Sequence, residues 1–373
     1  MKTLLVDGNS LFKNSFEATS NTKEYEKNIN GVLLFLSKLR SIVDSDRYSH
    51  LKVVFDGEKS GSLRRNLYSA YKLKREERKL NAEETEKNQK YKSQKEELKS
   101  YLKHFCLVYE DKVVEADDVI AYYVRNKPSN EKITIVTGDF DLLQLISKDV
   151  DVYYLNKKFK NKTREVERYE KDKDRVHLII DHKNFKKFYG FPYENIAIIK
   201  TICGDESDEI KNIKGIKETT LFNLFPVLKE KVLNLEEIKH ICLNFVKNAD
   251  VISSDKEKFS LLKEDLKQKG LKYQSMYNSY QNILNGITDG VQGNNILEIN
   301  KRIVDLSNLE FITNECILNL KNLNYFSDEK IEAKDVAEMI SKMKKTGIHD
   351  VIVDKYKSIN YFFKPFKKTF KNA

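Results

Sequence analysis

Three apolar runs in this chain end in the same way. Thr3-Leu4-Leu5-Val6 leads into Asp7-Gly8-Asn9-Ser10, Leu51-Lys52-Val53-Val54-Phe55 into Asp56-Gly57, and Ile133-Thr134-Ile135-Val136 into Thr137-Gly138-Asp139. A fourth segment, His104 to Tyr109, precedes by a short turn the acidic knot Glu115-Ala116-Asp117-Asp118. Near-continuous apolar strands separated by helical lengths predict an α/β fold with a buried, mostly parallel sheet flanked by helices. The carboxyl ends of such strands line the ligand crevice, so the four acidic sites are expected on one edge.

The intervening segments differ in kind. Ile29 to Val43 has helical spacing, with Val32, Leu33, Phe35, Leu36 and Leu39 on its apolar side. Residues 58–103 form an insertion whose middle, Lys72 to Lys99, is nearly all Lys, Arg, Glu, Asn and Gln. It reads as a solvated helix or as a segment that orders on a partner, and is expected to be poorly ordered without one. Val150 to Leu155 and Arg175 to Ile180 read as two further strands around a basic loop, Lys157 to Lys173. Asn184 to Ile202 has helical spacing and leads to Gly204-Asp205-Glu206-Ser207-Asp208. From about residue 221 the pattern is helical to the end, with Gly286, Gly290 and Gly293 marking a hinge or linker. A chain of 373 residues accommodates a catalytic core over 1–190 and a helical region over 191–373.

The net charge of +10 points to a polyanionic partner, because Lys and Arg that neutralise phosphates release condensed counterions. Cys106, Cys203, Cys242 and Cys316 are far apart and form no C-x-x-C pair, which fits reduced core thiols and excludes a disulfide frame. A strand pattern starts within two residues of the N-terminus, which argues against a signal peptide. No apolar run approaches the roughly 20 residues of a membrane span. A cytoplasmic protein is expected.

The acids Asp7, Asp56, Glu115, Asp117, Asp118, Asp139, Asp141, Asp205 and Asp208 collect at strand ends or helix starts. Taken singly, each has a plain reading: Asp-Gly favours turns, and the Glu115 knot or the Asp139/Asp141 pair can cap a helix. Taken together, so many carboxylates in one crevice must be neutralised by protons or cations. An oxygen-only ligand set selects a hard ion such as Mg²⁺, with Mn²⁺ as a substitute. Two such ions about 4 Å apart activate a water and hold the leaving oxygen of a phosphodiester.

The ordered series VDGNS, FDG, EADD, TGDFD and GDESD resembles the 5′-nuclease family, meaning flap endonucleases and the 5′-3′ exonuclease domains of bacterial polymerases. Within it the style is that of phage-encoded 5′ exonucleases also called RNase H, and the likeness spans roughly residues 1–225. The resemblance implies a PIN-like core, two divalent metals and cleavage of 5′-flap, nicked or RNA-primed duplex DNA by a monomer. By motif, Asp7, Asp56, Glu115, Asp117 and Asp118 resemble the ligands of the tighter metal, with Asp117 central to catalysis. Asp139, Asp141, Asp205 and Asp208 resemble those of the second. Tyr71-Lys72-Leu73-Lys74-Arg75 resembles the Y-K-x-x-R element at the base of a helical arch over 58–103, which places Lys72 and Arg75 over the scissile phosphate. Tyr68 or Tyr71 is a candidate to stack on an unpaired base.

Residues 205–224 resemble the helix-three-turn-helix that grips duplex through main-chain N–H groups and a K⁺ held by carbonyls. Lys211, Lys214, Gly215 and Lys217 are its candidate DNA contacts. Asn212 and Lys217 stand where glycines are common, which puts the turn shape and the K⁺ in question. Near the C-terminus, Ile359-Asn360-Tyr361-Phe362-Phe363 has either the spacing of a sliding-clamp peptide or that of a helix docked on its own domain. A sliding clamp and a single-stranded-DNA-binding protein are candidate partners. Two other readings compete: a catalytically weak branched-DNA-binding protein, and a PIN-type ribonuclease acting on structured RNA.

Overall fold

Alternation along the strands decides which side chains meet. In a strand successive side chains point to opposite faces of the sheet, and here Leu4 and Val6 pack into one apolar cluster while Leu5 packs into another. Val53 and Phe55 likewise go with Leu4, and Val54 goes with Leu5. Asp7 and Asp56 have the parity of Leu5 and Val54, so both carboxylates leave the sheet on the same face.

The computed structural model describes residues 1–19, 29–78, 82–155, 178–268, 272–289, 291–292, 295–323, 325, 331–332 and 336–371. Among the described residues one sheet has the order β3-β2-β1-β4-β5-β6. The strands β1 (Lys2–Asp7), β2 (His50–Asp56), β3 (Leu107–Asp111), β4 (Lys132–Thr137) and β5 (Val150–Tyr154) run parallel, and β6 (Leu178–Ile180) pairs antiparallel on the β5 edge. The order reverses between β1 and β4, and this is where an open α/β sheet forms its crevice. Residues 156–177, which include the expected basic loop and the start of the last expected strand, lie outside the described residues.

The helices of the first half are α1 (Gly8–Thr19), α2 (Asn30–Ser45), α3 (Ser62–Leu67), α4 (Leu73–Arg78), α5 (Ala82–Leu102) and α6 (Ala116–Asn126). They are followed by α7 (Phe185–Tyr189), α8 (Ile196–Cys203), α9 (Glu218–Leu224), α10 (Leu235–Ser253), α11 (Lys256–Gln268) and α12 (Tyr273–Leu284). The last are α13 (Ile296–Val304), α14 (Asn314–Asn322), α15 (Val336–Thr346), α16 (Ile348–Tyr356) and α17 (Ile359–Phe363). The stretch expected as one helix over 184–202 is broken into α7 and α8, because Gly190 ends α7 in the left-handed region and Pro192 follows.

The charged insertion departs from the expectation of poor order. Its C-terminal part is a packed helix: Tyr91 meets Phe12 and Phe16 with ring centroids 4.9 and 5.2 Å apart, the Gln94 side chain accepts from the Gly31 N–H at 3.1 Å, and Leu98, Tyr101 and Leu102 are buried. A narrow stripe at helical spacing is hidden among lysines, one of which, Lys95, sets its ammonium over the Phe55 ring at 5.4 Å. Residues 79–81 lie outside the described residues.

The second half packs on both faces of the sheet. Ile196, Ile202, Leu221, Ile238, Leu297 and Tyr325 share a cluster with Leu5, Val54 and Ile135. Met339, Met343, Ile352, Phe362, Phe363 and Phe366 share the other with Leu4, Val53 and Phe55. Phe362 and Phe363, the aromatic pair with clamp-peptide spacing, are therefore consumed by the chain's own core, with Phe363 edge-on to Phe105 at 5.5 Å. Of the three expected hinge glycines only Gly286 lies among the described residues, at φ +58° beside a short hairpin of Ile287–Thr288 and Val291–Gln292.

Candidate functional site

The acids at the sheet switch point are held by main-chain N–H groups and one hydroxyl. The Asp7 carboxylate accepts from the Ser10 N–H at 2.9 Å, opening α1, and from the Thr137 hydroxyl of β4 at 2.8 Å. Asp56 accepts from the Ala116 N–H at 2.7 Å, so an acid of β2 satisfies the free N-terminus of α6. Gly57 follows because a Cβ there would stand 1.9 Å from the Asp111 carbonyl oxygen. Asp139 accepts from the Asp141 N–H at 2.9 Å, folding the Asp141–Leu145 3₁₀ turn back over the crevice.

Asp7, Asp56, Asp117 and Asp139 act on one another electrostatically. Burial pushes the Asp7 carboxyl up to about 7, against the Ser10 hydrogen bond and with the charges of Asp56 and Asp139. Burial together with Asp139, Asp7 and Asp56 raises Asp117 well above its ordinary range. Asp56 is raised by burial and by Glu115.

A second group completes the crevice. Oxygens of Asp141, Asp205 and Asp208 all lie within 4.8 Å of one another. Lys200, the one cation of the apolar helix α8, contacts Asp141 and reaches Asp205 at 2.6 Å. Burial pushes Asp141 up to about 7 despite Lys200, with Asp139 adding to the rise. At Asp205 burial also acts upward, but Lys200 and Ser207 outweigh it and hold the carboxyl below its usual range.

Glu115 and Asp118 belong to a third arrangement. Glu115 occupies the N-cap position of α6 but makes no capping hydrogen bond, which sets aside the plain reading of the acidic knot as a helix cap. Its oxygens accept from Arg64 at 2.6 Å, Lys72 at 2.6 Å and the Tyr71 hydroxyl at 3.0 Å. Against the upward push of burial, Lys72 and Arg64 hold it down at about 2. Arg64 also forks onto both oxygens of Asp118, with Nη2 at 2.9 Å. Asp118 is thus engaged by Arg64, whereas Asp117 faces Asp7, Asp56 and Asp139.

In the charged insertion, just before α4, Lys72 is held at φ +55°, a left-handed conformation uncommon for a side-chain-bearing residue. Its N–H donates to the Asp208 carbonyl at 3.1 Å, and Arg75 pairs with the Asp208 carboxylate at 2.9 Å. Tyr71 is only 2% exposed, with its hydroxyl on Glu115 and 3.3 Å from Asp208. A base cannot stack on a ring buried this way, so the stacking expectation fails for Tyr71. The half-buried Tyr68, whose hydroxyl is 3.4 Å from the Glu209 carbonyl, keeps it.

In the hairpin, Lys211, Lys214, Gly215 and Lys217 are exposed above buried Ile213 and Ile216. Gly215 has φ +76° and open space where a Cβ would stand, a place for close backbone approach. Contrary to expectation, neither Asn212 nor Lys217 needs a glycine-like conformation; Lys217 is extended at φ −103°, ψ 171°. The K⁺, already put in question by the missing glycines, meets a competing donor at this turn. The Asn212 side-chain amide donates to the Ile213 carbonyl at 2.9 Å and to the Ile216 carbonyl at 3.2 Å, so an amide donor already sits on two turn carbonyls in competition with any cation there. Duplex affinity should then be the same in K⁺ and in tetramethylammonium at equal ionic strength, within about twofold, while Asn212→Gly should gain a K⁺ response. Fluorescence anisotropy in the two salts checks this.

Sequence reasoning missed Arg64 and Lys200. Lys200 had a usable signal, a lone cation within the apolar helix Ile-Ala-Ile-Ile-Lys-Thr-Ile-Cys. Arg64 had none, since only its partners distinguish it from the other cations of the insertion.

The raised carboxyls fix a pH dependence for the metal-free protein. Asp7 and Asp141 keep protons up to about pH 7 that the unfolded chain releases near its ordinary 3.8. Native protein thus binds more protons than unfolded across that window, and stability falls as pH rises, by up to about 1.4 kcal/mol per pH unit for each proton. Glu115 acts oppositely, but only between about 4.5 and 2. Melting in EDTA should show a lower midpoint at pH 7.5 than at pH 5.5, and saturating Mg²⁺ should remove the slope; a midpoint that rises in EDTA contradicts it.

A mostly parallel, resolvase-like sheet with carboxylates gathered at its switch point defines the class: a PIN-like α/β protein with an acidic crevice. The sequence matches, over residues 2–189, the family described as the 5′-3′ exonuclease, N-terminal resolvase-like domain, and the chain belongs to that family. It is 30% identical over 221 residues to a 5′-3′ exonuclease of Mycoplasma pneumoniae, covering 57% of this chain and 67% of that protein. It is 29% identical over 245 residues to DNA polymerase I of Caldicellulosiruptor bescii, covering 64% of this chain and 26% of the polymerase. The chain therefore corresponds to about a quarter of that polymerase's length. Among solved structures, T5 5′-exonuclease with bound zinc has a TM-score of 0.57 at 17% identity, covering 91% of this chain and 99% of that one. At that identity the likeness is one of fold.

Proposed function

We propose that this chain is a structure-specific, Mg²⁺-dependent 5′ nuclease that hydrolyses phosphodiesters near the 5′ ends of flaps, nicks and RNA primers in duplex DNA. The observation that carries the reading is the convergence of Asp7, Asp56, Asp117 and Asp139 at the switch point beside the Asp141/Asp205/Asp208 group. Their donor set is all oxygen, and burial together with their mutual repulsion raises Asp7 and Asp117, which fits hard divalent cations. Such ions, when bound, supply Lewis-acid activation of water and charge neutralisation at phosphate.

The chain's own residues do the rest. Lys72 and Arg75, held at the arch foot by Glu115 and Asp208, offer fixed positive charge to the equatorial phosphate oxygens. Lys211, Lys214 and Lys217, with the open backbone at Gly215, hold the duplex by its phosphates. Tyr68 supports an unpaired base near the arch. In this division of labour residues 1–190 form the catalytic core, and residues 191–373 hold the duplex and complete the crevice with Asp205 and Asp208. The enzyme works as a monomer and is placed in the cytoplasm, in keeping with four cysteines that form no disulfide; no helix among the described residues is long and apolar enough to cross a membrane. A single-stranded-DNA-binding protein is the proposed partner rather than a clamp, because Phe362 and Phe363 are buried.

Cleavage of a 5′-labelled flap and of a nicked, RNA-primed duplex with Mg²⁺ tests the reading. Product that appears with Mg²⁺ and vanishes with EDTA while DNA binding persists supports it. Binding without cleavage in any divalent ion marks a branch-binding protein, and preferential cleavage of an RNA stem marks a ribonuclease.

A further inference from the structure

The short helix α13 lies outside residues 2–189, the part that matches the family. It nevertheless ties together three acid-bearing elements of the crevice. Asn300, at its centre, is fully buried and donates to the Thr201 carbonyl at 3.0 Å and to the Lys211 carbonyl at 2.9 Å. Those two carbonyls flank the loop that carries Asp205 and Asp208, so one amide closes the neck of that loop.

At the C-terminal end of α13, the Ile303 carbonyl accepts from Arg64 Nε at 3.1 Å, and the same guanidinium holds Glu115 and Asp118. The next carbonyl, of Val304, accepts from Gln144 at 3.0 Å. Gln144 belongs to the 3₁₀ turn that begins with Asp141. The last carbonyls of a helix lack intrahelical partners and carry partial negative charge, so a guanidinium and a side-chain amide are suited to that end. Asn300 also keeps an Oδ1 without a hydrogen-bond partner among the described residues. A buried unsatisfied oxygen is a cost, which implies that the two donated bonds are what the position is retained for.

We propose that α13 is the positioning brace of the crevice, and that Asn300 and Gln144 are positioning residues that set the spacing of Asp141, Asp205 and Asp208 for a divalent cation. The inference rests on the nuclease reading for its purpose but not for its test. Groups that orient ligating carboxylates change metal affinity about 10- to 100-fold when removed.

The test is Mn²⁺ binding by calorimetry to the full chain without DNA, comparing the unsubstituted protein with Asn300→Leu and Gln144→Leu. Each substitution is expected to weaken binding about tenfold or more. Circular dichroism and flap affinity in EDTA should stay unchanged, and excess Mn²⁺ should restore the cleavage rate. Folded variants that bind Mn²⁺ within twofold of the unsubstituted chain overturn the proposal. If Asn300→Leu fails to fold, the half-buried Gln144→Leu decides alone. An unsubstituted chain that binds Mn²⁺ without cleaving DNA overturns the nuclease reading and leaves the brace standing, whereas one that binds no Mn²⁺ overturns both.

Discussion

Asp117→Asn should abolish cleavage of a 5′-flap substrate, by about 10³-fold or more, while making the metal-free protein more stable. The side chain keeps its shape and loses one charge. In the folded chain Asp117 is pushed upward by burial and by Asp139, Asp7 and Asp56, so its ionised form opposes folding at neutral pH. Removing the charge relieves both the burial cost and the repulsion, so stability in EDTA rises. The same loss removes a carboxylate from the place where three others converge, and divalent-ion affinity must fall. Opposite signs for stability and activity are the mark of a functional cluster, since a group retained for structure would move both together. Single-turnover cleavage with Mg²⁺ and chemical denaturation in EDTA give the two readings. Undiminished cleavage by Asp117→Asn removes the crevice as the reaction site, and lower stability in EDTA contradicts the electrostatics assigned to it.

How much of this was legible beforehand depended on what each residue's signal rested on. The parallel sheet and its acidic edge were readable because strand parity and strand-end position are local: Leu4, Leu5 and Val6 announce a two-faced strand, and Asp7 follows it. The Glu115 knot was readable as a group but not in its parts. That Asp117 faces Asp7 and Asp56 while Asp118 turns to Arg64 depends on how α6 is rotated over β2, which the Ala116–Asp56 hydrogen bond shows. The packed end of the charged insertion was obscured by composition. Tyr91, Gln94, Leu98 and Tyr101 form a stripe too narrow to register among lysines. Asn212 stands out in the sequence as a departure from a glycine pattern, but its bonds to the turn carbonyls depend on side-chain direction. Asn300 and Gln144 carry no pattern at all, because their partners are 89 to 162 residues away in sequence.

Arg64→Leu should be the most destabilising single substitution at the site, costing about 3–5 kcal/mol. Arg64 is 4% exposed and lies 4.4 Å over the Phe311 ring. Burial alone would favour loss of its proton, but Asp118 and Glu115 outweigh that and keep it charged. Leucine leaves Asp118 buried with its forked partner gone, and leaves the Ile303 carbonyl without its donor. Glu115 retains Lys72 and Tyr71, so most of the loss should be centred on Asp118. The double substitution Arg64→Leu with Asp118→Leu removes both charges and should recover about half of the single loss, since a buried pair replaced by apolar groups is close to neutral. Urea denaturation of the two single variants and the double variant at pH 7.5 in EDTA measures the coupling. Additive losses would show that Arg64 and Asp118 are uncoupled, and would detach the acidic knot from the helix that braces it.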